Sequence, residues 1–80
     1  MKISVHITLK NGVLDPQGKA ISNALGSLGF SGVNEVRQGK FIELDIAEND
    51  PEKAKSLAND MCRKLLANTV IEDYRIDLDA

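Results

Sequence analysis

Eighty residues, 42% of them hydrophobic and 28% charged, suffice for one globular domain, residues 1–80, and are too few for two. Ten basic against twelve acidic side chains, scattered along the chain, leave a net charge of −2, which offers no basic stripe to a phosphate backbone and argues against nucleic-acid binding. A domain this small buries only about 60–65% of the surface its unfolded chain exposes, so a partner, first of all a second copy, is expected to cover part of it.

Ile3, Val5, Ile7 and Leu9 alternate with Lys2, Ser4, His6, Thr8 and Lys10, the period of a strand with one buried face. Asn11-Gly12 ends it. Asp15-Pro16 is a helix start with a mechanism: the carboxylate can accept from orphan amides of the first turn, and proline suits the first helical position. That helix runs to about Leu28, with Ala20, Ile21, Ala24, Leu25 and Leu28 on one face and Gly29 placed for a left-handed cap. Val33 to Arg37 reads as a short or bulged strand, because Val33 and Val36 stand three apart. Gln38-Gly39-Lys40 reads as a turn, and Ile42, Leu44 and Ile46 alternate with Phe41, Glu43 and Asp45 as the strand that closes a hairpin. Asp50-Pro51 opens a second helix, whose face is Ala54, Leu57, Ala58, Met61, Cys62, Leu65 and Leu66, closed by Asn68 in a left-handed conformation. Tyr74, Ile76 and Leu78, alternating with Asp73, Arg75 and Asp77, make a last strand.

The order β-α-β-β-α-β predicts an α+β, ferredoxin-like fold: a four-stranded antiparallel sheet with both helices on one face. Ser4, His6, Thr8, Glu43, Asp45, Arg75 and Asp77 then line an open polar face. No apolar run approaches the roughly 20 residues that cross a bilayer, and the chain opens on a strand pattern, so a soluble, cytoplasmic protein is expected.

Reactive groups do not converge. His6, the only histidine, lies on an outward strand position without a Ser or Cys at usable spacing, and Cys62 falls on an apolar helical stripe where a thiol acts as a small hydrophobe. Neither a metal-ligand spacing nor a phosphate-binding glycine loop is present. Pro16-Gln17-Gly18-Lys19 lacks the Walker and dinucleotide patterns, and Asp15 at the cap would repel a phosphate. No catalytic, cofactor-binding or metal residue is therefore assigned. Arg37, Gln38, Gly39 and Lys40 form a basic hairpin tip, and Arg37 and Lys40 are the candidate partner-binding residues, with Asn11, Asp15 and Gln17 of the first strand-to-helix loop next.

Three blocks, LKNGVLDPQGKA at Leu9 to Ala20, VRQGKFIEL at Val36 to Leu44 and CRKLLANTVIEDY at Cys62 to Tyr74, closely resemble the PurS family, the small subunit of phosphoribosylformylglycinamidine synthase. The resemblance covers nearly the whole chain, with Thr69 standing where the family usually has proline. It implies a non-catalytic subunit that bridges a PurQ-type glutaminase and a PurL-type synthetase in purine biosynthesis. It also implies dimers, help with ammonia transfer, and ATP and magnesium used by the synthetase rather than by this chain. Two other classes share the fold: an ACT-like module, which should bind an amino acid in a glycine loop, and a dimeric α+β barrel enzyme. The latter needs a mostly apolar pocket, against which Glu43, Asp45 and Arg75 speak.

Overall fold

The structure, a computed structural model, describes residues 1–79. Its elements are β1 (Lys2–Leu9), α1 (Pro16–Ser27), β2 (Gly39–Asp45), α2 (Pro51–Met61), extended by a π-helical turn over Cys62–Leu66, and β3 (Glu72–Asp79). β1 is central, antiparallel to both neighbours, in the order β2-β1-β3. Its register places Val5 between Ile42 and Ile76, and His6 between Phe41 and Arg75. Residues directly opposite share a face. One face is therefore Ile3, Val5, Ile7, Ile42, Leu44, Tyr74, Ile76 and Leu78, while Ser4, His6, Phe41, Glu43, Arg75 and Asp77 occupy the other, as the alternation predicts.

Both cap-then-proline starts form. Asp15 accepts from the Gly18 amide and Asp50 from that of Glu52, each with proline just inside the helix. α1 ends in a Schellman motif: Phe30 N–H reaches Leu25 O at 3.1 Å, Gly29 N–H reaches Gly26 O at 3.1 Å, and Gly29 takes φ 93°. α2 lies across the sheet on small side chains. Ala54, Ala58 and Cys62 are buried over Ile3, Val5 and Ile7, and the Tyr74 hydroxyl donates to Asn59 Oδ1, tying α2 to β3. Each of the larger buried side chains contributes about 1.5–3 kcal/mol, so this short list makes a thin core.

Four expectations are corrected. The sheet has three strands among the described residues, not four: residues 33–37 join no ladder, because valines three apart do not supply the alternation that a ladder and a core together reward. The predicted turn at 38–40 is absent. Gly39 and Lys40 already belong to β2, opposite Thr8 and Ile7, and β1–β2 form the hairpin instead. Asn68 does not adopt a left-handed conformation. The π-turn ends α2 with Ala67 N–H on Cys62 O at 2.9 Å, and Asn68 acts as a turn acceptor, its side chain taking Val70 N–H at 3.2 Å and its carbonyl taking Glu72 N–H at 2.7 Å.

The fourth correction concerns α1, which does not lie on the sheet. Only Gly18 of this helix is buried, and Leu14, Ile21, Leu28 and Phe30 are exposed, Leu28 to 73%. The radius of gyration is 15.9 Å, where 80 compactly folded residues would give about 12 Å. The molecule measures 48 × 26 × 15 Å because residues 10–38 form an arm directed away from the sheet.

Candidate functional site

The five residues singled out from the sequence meet at the root of this arm, although no hairpin tip exists there. Arg37 lies on the returning segment and points back at the end of β1. Its guanidinium donates to the carbonyls of Leu9 and Lys10 and, at 2.7 Å, to Asn11 Oδ1. Asp15 closes the junction from the other side, Oδ1 accepting from Gly18 N–H and Oδ2 from Gln38 N–H, both at 2.9 Å. The outgoing and returning segments of the arm are thus clasped by one cation and one anion, the anion bound to two backbone amides and the cation to two backbone carbonyls and the Asn11 side chain.

These bonds perturb Asp15. The Gly18 amide first, the Gln38 amide next and the charge of Arg37 hold its carboxyl below the ordinary 3.8. Glycine is required twice here. A Cβ on Gly18 would collide with the Val36 carbonyl oxygen and the Asp15 carboxylate, and one on Gly39 would collide with the Ile7 carbonyl oxygen.

Gln17 and Lys40 stand beside the clasp. With Asp15, Gln38 and Glu72 they line a depression of about 180 Å³. Lys40 Nζ is 3.6 Å from Glu72 Oε2, whose other oxygen accepts from Asn68 N–H at 2.7 Å. On the far side of the clasp an open cleft of about 430 Å³ separates the polar face of α1 from residues 34–37, with Lys19, Ser22 and Glu35 on its walls.

Chemically, the junction is a joint. Its carboxylate is engaged by two backbone amides and its guanidinium by two backbone carbonyls and the Asn11 side chain, and neither faces a nucleophile. His6, on the open sheet face, stands 3.5 Å from Asp77 Oδ2 and 3.3 Å from Arg75 Nη2, with its ring 4.8 Å from that of Phe41. Cys62 is buried, and desolvation pushes its thiol up, away from the thiolate that reactivity needs. Among the described residues no group of three His, Cys, Asp or Glu side chains could hold a metal ion, and no helix is long and apolar enough to cross a membrane.

The anchoring role of Arg37 is not visible in the sequence, because two of its three acceptors are backbone carbonyls some 27 residues away, which leave no trace in residue types, and the third, Asn11, lies 26 residues away. A bare Arg-Gln-Gly-Lys run reads as an exposed turn whether or not its arginine is engaged.

Comparison with known proteins decides the family. Residues 2–80 match the PurS model, described as phosphoribosylformylglycinamidine (FGAM) synthase. The chain belongs to the PurS family. The Bacillus subtilis protein named phosphoribosylformylglycinamidine synthase subunit PurS is 49% identical over 78 residues, 98% of this chain and 92% of that one. Its Methanocaldococcus jannaschii namesake is 46% identical over 98% and 94%. Among solved structures, a crystal form of Bacillus subtilis PurS superposes with a TM-score of 0.87 at 48% identity, over 99% and 98% of the two chains. A chain from the structure of PurLQS from Thermotoga maritima gives 0.87 at 30% identity, over 95% and 93%. This PurS-family chain therefore shares its small α+β architecture, three strands and two helices, with solved members of the family.

Proposed function

We propose that this chain is the non-catalytic, bridging subunit of a cytoplasmic phosphoribosylformylglycinamidine synthase in purine biosynthesis. It joins a PurQ-type glutaminase to a PurL-type synthetase and supports ammonia transfer between them. ATP and magnesium belong to the synthetase, and this chain binds no cofactor. The supporting observation is the match along residues 2–80 to a family whose Thermotoga maritima member occurs in a PurLQS assembly. The junction fits that reading: Asn11, Asp15 and Arg37 hold the arm, and the exposed Gln17 and Lys40 beside them are the side chains left to meet a partner. Self-association belongs to the same reading, since the arm and half of the sheet expose apolar surface that this chain does not cover itself.

The test is reconstitution. With purified synthetase and glutaminase, glutamine-dependent amidation should require this chain, while amidation from added ammonia should proceed without it. Equal glutamine-dependent rates with and without the chain would overturn the assignment.

A further inference from the structure

The cleft between α1 and residues 34–37 adjoins the clasp and is shaped by it. Positive φ at Gly29 and Gly32 lets the chain turn back along the helix, and the missing side chain of Gly18 lets the Val36 carbonyl close against α1 at one end. Lys19, Ser22 and Asn23, three and four residues apart on one side of α1, line the opening, and Asn34 and Glu35 line the facing wall. The apolar stripe Ile21, Leu25 and Leu28 lies on the other side of the helix, so covering it leaves the cleft open. At about 430 Å³ the cleft has the size of a small-molecule site.

Four charges line it, in two pairs of different kind. Asp15 and Arg37 are committed to the clasp. Lys19 and Glu35, one on each wall, make no side-chain ion pair or hydrogen bond among the described residues, and the side chains of Ser22, Asn23 and Asn34 are equally uncommitted. A ligand of one charge sign would meet its like at one wall, whereas a zwitterion finds a complement at both. The hydroxyl and the two amides each both donate and accept, which suits a polar, uncharged group between the charged ends.

We propose that this cleft binds a free α-amino acid with an amide or hydroxyl side chain. Lys19 takes the α-carboxylate, Glu35 the α-ammonium group, and Ser22, Asn23 and Asn34 the side chain. The site is separate from the partner-binding Gln17 and Lys40 and does not depend on the assignment to a synthase. With about ten non-hydrogen atoms held by solvent-screened charges, such a ligand should bind with a Kd of about 1 mM.

The test is a titration of the whole chain with L-glutamine and with L-serine, followed by the NMR shifts of its backbone amides. At least one of the two should give saturable shifts confined to residues 12–23 and 34–37. Lys19→Met and Glu35→Gln, both at exposed positions outside the core, should each weaken binding about tenfold, and Lys55→Met on α2 should not. N-acetylation of the ligand, which removes its ammonium charge, should weaken binding to the wild type about tenfold and make no further difference to Glu35→Gln, because the two changes delete the same contact. Glutarate and 1,4-diaminobutane, each with one charge sign only, should not saturate these amides. No saturable shift with either amino acid up to about twenty times the expected Kd would overturn the site. Binding unaffected by both cleft variants, binding weakened equally by Lys55→Met, or equal binding of glutarate or the diamine would overturn it too.

Discussion

Asp15 carries the junction through two amides that a neutral side chain satisfies poorly. Its folded-state carboxyl titrates below the ordinary 3.8, so its stabilising contribution is fully present above that value and is lost as pH falls through the lower, folded one. We expect amides near the clasp, those of Gly18 and Gln38 in particular, to lose exchange protection at acid pH before the sheet melts. Asp15→Asn should abolish that pH dependence, and a variant that retained it would assign the effect to another carboxylate. Gly18 is the second decisive residue. Gly18→Ala must move either the Val36 carbonyl or the Asp15 carboxylate, and overpacking of this kind costs about 1–3 kcal/mol, which a shift in denaturant midpoint would register. Alanine at Gly26, with open space around its Cβ, is the control and should be neutral or mildly stabilising.

Among the elements, α2 is held by contacts of two kinds, apolar burial of Ala54, Ala58 and Cys62 and one hydrogen bond to Tyr74. Cys62→Ser should lower stability by about 1–3 kcal/mol, because a hydroxyl at that buried position has no assured acceptor. Synthase activity of the reconstituted complex should persist once the variant is folded, and activity lost in a folded variant would return Cys62 to consideration as a reactive group.

The elements also show what a sequence can and cannot display. β1, β2, β3 and both helix starts were legible because alternation, Asp-Pro pairs and Gly29 act locally, within a few residues. The stretch 33–37 reads as a strand but joins none, because an unpaired connecting segment and a paired strand can have similar composition. The stripe Ile21, Leu25, Leu28 was recognised correctly as an apolar face, but periodicity records only that a face needs covering and is silent on which chain covers it. Leu57, Met61 and Leu65 belong to the apolar face read for the second helix and are exposed, for the same reason. The candidate site was half legible: five residues were chosen that do meet in space, but the clasp that unites them runs through backbone carbonyls and amides.

For the whole molecule the consequence is thermodynamic. A thin core, a half-covered sheet face and an extended arm make the isolated chain marginal, and the self-association proposed above would supply the missing burial. The melting temperature should therefore rise with chain concentration, as mass action requires of any folded state stabilised by its own kind. A melting temperature constant over a hundredfold dilution series, about 2.7 kcal/mol in mass-action terms, would mean that the monomer is stable unaided.

Thr8 and Gly39 face each other across the hairpin, so the chain leaves the sheet and returns to nearly the same point. Residues 10–38 are in this sense an insertion, removable without rethreading any strand. Replacing residues 9–38 by a two-residue Asn-Gly link between the paired Thr8 and Gly39, which suits the twist of an antiparallel pair, should leave a miniature of three strands and one helix with the same β1–β3 register from Lys2 to Thr8. The miniature would keep the core of Ile3, Val5, Ile7, Ala54, Ala58 and Cys62 but lose every residue of the junction, so it should fold and yet fail to support glutamine-dependent synthesis in the reconstituted complex.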